Sequence, residues 1–202
     1  MTLIFSIYLK HMQFIFATHN QHKLTEISQL LCNKIDLLSL NDVGHTSEIE
    51  EYGKDLLENA LIKARTIYNL YGKNTFADDT GLEIDALDGQ PGVYSARFAG
   101  EEKDANANMN KVLKLMHNIE NRKARFRTII ALIVDGNEHI FEGIVNGTVL
   151  REPKGNKGFG YDPIFQPDDK LISFAEMDAE EKNRISHRGK AIEKLTEFFN
   201  NM

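Results

Sequence analysis

The chain has 202 residues and a formal net charge of −6, with 42% hydrophobic and 27% charged residues. This is the profile of an ordinary globular protein with room for one large domain or two small ones. The negative balance, with lysines and arginines spread along the chain, argues against a DNA- or RNA-binding surface but allows a small phosphorylated ligand.

One cysteine, Cys32, excludes an intrachain disulfide, and the seven histidines form no spaced metal pair. A reducing, cytoplasmic setting is the expectation. Cys32 falls in an apolar helical pattern and reads as core packing. Residues 1–11 open with the apolar run MTLIFSIYL, which has no basic leader and is too short to span a membrane. They are expected to be an extension ahead of a domain covering residues 12–202.

Residues 14–18 (FIFAT) read as a buried strand ended by a polar loop. A helix follows, with Leu24, Ile27, Leu30 and Leu31 on one face. An irregular polar stretch at 41–53 leads to a second helix, whose stripe is Leu57, Ala60, Leu61, Ala64 and Tyr68 and whose stop is Gly72. A strand then carries Asp78 and Asp79, followed by an apolar run at 82–87 and a turn at 88–92. Ala105, Met109, Val112, Leu113 and Met116 describe a third helix. Residues 126–134 and 140–149 read as a hairpin turning at Asp135-Gly136-Asn137. Asp178 with Glu181 forms a capping box for a short helix. Ser186 is the expected N-cap of a last helix that buries Ile192, Leu195 and Phe199. Strands and helices mix throughout, so an α/β domain is expected.

The pair Asp78-Asp79 is the most informative feature. A strand stopped at once by a Gly81 turn would hold both carboxylates at the rim of a sheet, where α/β proteins bind ligands. Adjacent carboxylates repel, so the pair calls for a cation, and hard oxygen ligands of this type suit Mg²⁺. An acidic pair before glycine is also a common turn former, and these residues alone leave both readings open. In the first loop, free backbone N–H groups at a helix N-terminus favour an anion. Thr18 and Asn20 add donors there, and Lys23 adds a charge that is misplaced against the helix dipole unless something anionic binds. A polar cap with a solvated lysine is the plain alternative. Gly155, Gly158 and Gly160 flank Phe159 and Tyr161, which suits a flat ring approached by backbone or simply a loop with core aromatics. Lys182, His187 and Arg188 could reach base edges or phosphates, or form a solvated basic patch. Glu50 and Glu51 could add a metal carboxylate.

Six blocks occur in order: residues 18–23 (THNQHK), 58–65 (ENALIKAR), 77–82 (ADDTGL), 91–97 (PGVYSAR), 158–163 (GFGYDP) and 186–188 (SHR). Together they closely resemble the dITP/XTP pyrophosphatases, the inosine triphosphate pyrophosphatase family, from about Met12 to the last helix. The resemblance implies a single two-lobed α/β domain with a long mixed β-sheet flanked by helices and a substrate cleft between the lobes. It implies a homodimer and Mg²⁺-dependent hydrolysis of ITP, dITP and XTP to monophosphate and pyrophosphate. By position, Asp79 would be the catalytic carboxylate at the metal and Glu50 a second metal ligand. Thr18, His19, Asn20, Gln21, His22 and Lys23 would hold the phosphates, with Lys63 assisting and Thr80 lining the substrate. Phe159, Gly160, Tyr161, Asp162, Lys182, His187 and Arg188 would surround the base. One departure is His19, where the family often has glycine; a positive φ there would strain a histidine. Two rivals are a pyrophosphatase for other modified nucleotides and a non-catalytic nucleotide sensor. The base-contacting set favours 6-keto purines, and a sensor would be expected to lose Asp79.

Overall fold

The computed structural model describes residues 12–31 and 35–202, so Cys32 and the expected extension at 1–11 lie outside the described residues. Strand β1 (Gln13–Phe16) has Phe14, Ile15 and Phe16 fully buried. Such an all-apolar run suits a strand with covered faces and parallel neighbours. Helix α1 (Gln21–Leu30) leads to β2 (Asp36–Ser39), which pairs with β1 in parallel. Helix α2 (Leu56–Tyr71) starts at the N-cap Asp55, whose side chain accepts from the Glu58 N–H. It stops at Gly72, where φ is 61°, the left-handed turn that glycine adopts without steric cost.

Strand β3 (Thr75–Ile84) returns to pair in parallel with β1 on the side away from β2. The two crossovers run in opposite directions along the sheet, and with the right-handed connection that parallel strands adopt this puts α1 and α2 on opposite faces. After two 3₁₀ turns, Asp85–Leu87 and Gly92–Arg97, comes α3 (Ala105–Leu115). The hairpin is β4 (Lys123–Val134) and β5 (Asn137–Val149). Its two turn residues, Asp135 and Gly136, both have positive φ, the backbone that a tight two-residue hairpin turn demands. Strand β6 (Phe165–Pro167) pairs antiparallel with β5. The chain ends with α4 (Ala179–Ile185), capped by Asp178 as expected, and α5 (His187–Asn201), directly after Ser186. The sheet is mixed, in the order β2-β1-β3-β4-β5-β6.

The domain resolves into two compact units. The first takes the chain up to Asp79 with Ile129–Gly143 and Arg188–Met202; the second takes Thr80–Thr128 and Ile144–His187. In the first, even-numbered residues of β1, β3 and β4 (Phe14, Phe16, Phe76, Ile130, Leu132) pack with Ile27 of α1 and with Ile192, Leu195 and Phe199 of α5. This shared parity is the period-two signature of one sheet face. The second unit is built around Phe126, Phe165 and Phe174 with Leu82, Ile84, Val112 and Tyr161.

Two expectations fail. The buried face of α2 runs through Leu56, Ala60, Lys63, Ala64 and Ile67, sharing only Ala60 and Ala64 with the expected stripe, and Leu57 is exposed. Gly81 does not end the aspartate strand, because β3 runs unbroken through it to Ile84. A Cβ at Gly81 would collide with the backbone carbonyl of Gly92. The glycine therefore serves a close backbone approach inside a strand. Strands β2 and β6 also have no counterpart in the sequence reading.

Candidate active site

The last pair in the β1–β3 register is Phe16 with Phe76, and the Ala17 N–H still reaches the Phe76 carbonyl at 2.8 Å. Asp78 and Asp79 therefore stand just beyond the C-terminal end of β1, while their own strand continues. The rim is that of β1. Chain connections leave β1 and β3 in opposite directions here, which is where open α/β sheets form their binding crevice.

Consecutive strand residues face opposite ways, and the two carboxylates meet different helices. Asp78 follows Phe76 on the face covered by α1 and α5. Its Oδ1 accepts from Lys23 Nζ at 3.0 Å, and its Oδ2 accepts from Arg188 Nε at 3.3 Å and Nη2 at 3.2 Å. Arg188 Nη1 donates to Glu26, one turn along α1 from Lys23. Arg188 and Asp78 are each 1% exposed. Burial alone would raise the Asp78 pKa, but Lys23 and Arg188 reverse this and hold the carboxyl well below its usual range. Burial lowers the Lys23 pKa, and Asp78 offsets only part of that.

Asp79 meets α2. Lys63 Nζ donates to Asp79 Oδ1 at 3.2 Å and to Glu51 Oε1 at 2.6 Å. Burial opposes the Lys63 charge, yet Asp79 and Glu51 outweigh it and push the ammonium up to about 12. Asp79 shares that single cation with Glu51, so burial dominates and its own pKa is raised despite Lys63 and Lys23. The Asp79 Oδ2 atom is buried with no hydrogen-bond partner among the described residues. A buried carboxylate oxygen in this state fits a cation or a water. Of the two neighbouring glutamates, Glu51 is the one that reaches Lys63, while Glu50 is exposed.

The first loop is more self-contained than free N–H groups would suggest. Asn20 Oδ1 caps α1 by accepting from the His22 N–H at 3.0 Å and the Lys23 N–H at 3.2 Å, and Thr18 Oγ1 accepts from the Asn20 N–H. Gln21 and His22 are exposed. His19 is not among the residues with positive φ, so the glycine-to-histidine departure carries no backbone strain. Its Nε2 donates to the Ser47 carbonyl at 2.9 Å and its ring stacks on His45. The side chain thus ties the first loop to the acidic segment that carries Glu50 and Glu51.

In the second unit, Asp162 organises the glycine turn. Its Oδ2 accepts from the Phe159 N–H at 2.8 Å and from Lys182 Nζ at 2.7 Å. Gly158 has φ +71° and leaves no room for a Cβ beside that oxygen; Gly160 also has positive φ. Lys182 Nζ lies 4.8 Å from the Phe159 ring centroid. Tyr161 is a core residue whose hydroxyl donates to the Ser95 carbonyl at 2.8 Å, and burial pushes its pKa up. His187 stacks on Phe126 at 4.5 Å between centroids. Thr80 Oγ1 bonds Thr128 Oγ1 at 2.7 Å. Sequence reasoning missed Glu26, although its i,i+3 spacing from Lys23 on one helix was a usable signal. Among the described residues, no group of three or more His, Cys, Asp or Glu side chains is arranged to hold a metal, and no helix is long and apolar enough to cross a membrane.

Fold and site together define a class: a mixed-sheet α/β protein with a strand-borne carboxylate pair, each member bonded to a lysine of a different helix. The chain belongs to the Ham1 family, whose model it matches over residues 14–198. A protein of Christiangramia forsetii named dITP/XTP pyrophosphatase is 51% identical over 187 residues, covering 93% of this chain and 98% of that protein. A Bacillus subtilis protein of the same name is 48% identical over 186 residues, covering 90% and 94%. Among solved structures, a HAM1 protein from Coxiella burnetii superimposes with a TM-score of 0.87 at 37% identity, covering 95% of this chain and all of that one. The resemblance read from the six sequence blocks is borne out.

Proposed function

We propose that this chain hydrolyses non-standard purine nucleoside triphosphates, with ITP, dITP and XTP as substrates, to the monophosphate and pyrophosphate. The observation that carries the reading is the Asp79 carboxylate, buried beside Lys63 with one oxygen unpartnered among the described residues, in a chain whose relatives are named dITP/XTP pyrophosphatases. Asp79 and Glu51 are the carboxylates that fit a hard divalent cation, read here as Mg²⁺, which usually takes one or two protein carboxylates. When bound, the ion supplies neutralisation of the charge that develops on the triphosphate oxygens.

The protein's own groups do the rest. A carboxylate whose pKa is raised by burial is a stronger base than a solvated one, so Asp79 is suited to orient and deprotonate the attacking water. Lys63 and Lys23 hold positive charge at the two faces of β3 for phosphate oxygens. In the second unit, Lys182, Phe159 and His187 are the groups assigned to the base, with Asp162 holding Lys182. Hypoxanthine and xanthine present a 6-keto acceptor to such donors, whereas adenine presents an amino donor and leaves them unpaired. Arg188, expected at the base, has its guanidinium engaged by Asp78 and Glu26, and its part here is to hold Asp78. The homodimer, the cytoplasmic setting and a domain starting near Met12 belong to the same proposal.

The test is pyrophosphate release measured over a panel of ITP, dITP, XTP, GTP and ATP, with Mg²⁺ and with EDTA. The expected result is turnover of ITP, dITP and XTP well ahead of GTP and ATP, abolished by EDTA. Equal kcat/KM for ATP and ITP would refute the assignment.

A further inference from the structure

Helix α2 buries Leu56, Asn59, Ala60, Lys63, Ala64 and Ile67. Lys63 has its carboxylates, and the apolar members belong in a core. Asn59 is different: a polar side chain with no solvent exposure, one helical turn before Lys63 on the same face. Its Oδ1 accepts from the backbone N–H of Gly53 at 2.8 Å. Its Nδ2 is buried without a partner among the described residues. A half-satisfied buried amide is held against a stability cost that an apolar residue would avoid, and so calls for a reason beyond packing.

The reason lies across the contact. Gly53 has no positive φ to explain a glycine, yet a Cβ there would stand 2.6 Å from Asn59 Oδ1, 2.7 Å from Glu58 Cβ and 2.8 Å from the Asn59 nitrogen. The segment is pressed against α2 as closely as backbone allows. The next residue is held too, since the Lys54 N–H donates to Glu58 Oε2 at 2.9 Å. Two residues before Gly53 comes Glu51, whose carboxylate meets Lys63. One face of one helix thus grips the acidic segment twice: Asn59 by its backbone and Lys63 by its carboxylate. The Glu51–Lys63 contact joins two long, rotatable side chains and cannot set a position alone.

We infer that Asn59 is a positioning residue that, through its bond to Gly53, sets the Glu51 carboxylate opposite Asp79 for a divalent cation. The inference rests on the reading of Asp79 and Glu51 as the cation-holding pair. Groups that orient ligands without touching the ion commonly carry a tenfold or greater share of metal affinity.

The test uses Mn²⁺ as probe, its free ion counted by electron paramagnetic resonance without nucleotide, in the wild type, Asn59→Ala and Gly53→Ala. These two substitutions break the same contact from opposite sides, and thermal melting in EDTA identifies which variants are folded. Folded variants are expected to bind Mn²⁺ about tenfold more weakly than wild type. In steady-state assays the Mn²⁺ concentration for half-maximal rate should rise, with little change in nucleotide KM at saturating metal. A purely structural amide would lower the melting temperature and leave the Mn²⁺ isotherm alone. If Asn59→Ala does not fold, Gly53→Ala carries the test, because it leaves the helix sequence intact. A folded variant of either kind with wild-type Mn²⁺ affinity overturns the inference. A wild type that binds no Mn²⁺ overturns the reading of the carboxylate pair and the inference with it.

Discussion

Asp78 and Asp79 are neighbours of identical chemistry, and their replacement by asparagine should have opposite consequences. Asp78 accepts three charge-assisted hydrogen bonds from Lys23 and Arg188 in a fully buried setting. Asp78→Asn leaves the buried Arg188 guanidinium and the half-buried Lys23 ammonium facing an amide, and removing one partner of a buried ion pair costs about 3–5 kcal/mol. For a chain of this size that corresponds to a fall of roughly 6–20 °C in melting temperature. Asp79→Asn removes a carboxylate that burial already disfavours, and Lys63 keeps Glu51 as a partner. Its stability in EDTA should stay within about 1 kcal/mol of wild type, while kcat falls on the order of 10³-fold. The pH dependence separates the two further. Asp78 has a depressed folded pKa, so its contribution is present above the unfolded value and is lost as pH falls through the folded one. The Asp78→Asn deficit should therefore be full at pH 7 and shrink in acid. Asp79 has a raised pKa, so its contribution is favourable only at low pH and disappears as pH rises through the folded value. Asp79→Asn should compare better with wild type at pH 7 than at pH 4. Thermal and urea melts of the three proteins in EDTA provide the measurement, taken from pH 7 to pH 4 for Asp79 and carried on below pH 4 for Asp78, whose loss begins only beneath the unfolded carboxylate value. Equal destabilisation by both substitutions would refute the division of the pair between the two sheet faces.

Lys23→Ala should raise the nucleotide KM about tenfold and flatten its dependence on salt, since a screened charge–phosphate contact is lost; kcat/KM measured over a NaCl series checks this. Gly81→Ala should lower the urea midpoint by an amount equivalent to about 1–3 kcal/mol, the usual cost of forcing atoms into a filled space, because its Cβ would strike the Gly92 carbonyl. Lys182→Met should narrow the ITP-to-ATP ratio of kcat/KM on the order of tenfold, mainly by harming ITP, since a donor for the 6-keto oxygen is removed. An unchanged ratio would place base recognition in other side chains.

Elements governed by local chemistry were legible in the sequence. The Gly72 end of α2, the Asp135-Gly136 turn and the Asp178 cap each rest on a residue whose own conformation or hydrogen bond makes the structure. Strands β2 and β6 were not legible, being short runs, one with a proline, that owe their form to a neighbouring strand. Gly81 was misread for the same reason, because the Gly92 backbone that explains it comes from eleven residues away. Within the candidate site, the carboxylate pair and the lysines stood out by type and spacing. The partners that divide them did not. Which glutamate meets Lys63, that Arg188 turns to Asp78 and Glu26, and that Tyr161 is core are outcomes of packing. Asn59 lay off the stripe read from the sequence, and both its burial and its purpose appear only in the structure, with Gly53 beside it.

The alternation of β3 makes the choice of reacting carboxylate a matter of parity. Nothing in the covalent chemistry of Asp78 and Asp79 tells them apart; an odd or an even place in the pleat does. A slip of one residue would put one aspartate in the other's place and an uncharged neighbour, Ala77 or Thr80, in the place left behind, so either the Lys23–Arg188 pair or Lys63 would lose its carboxylate. The residue that forbids the slip is Gly81, because either neighbour, Thr80 or Leu82, would bring a side chain into the space occupied by the Gly92 carbonyl. A glycine with no functional group of its own thereby keeps count for the two aspartates upstream of it.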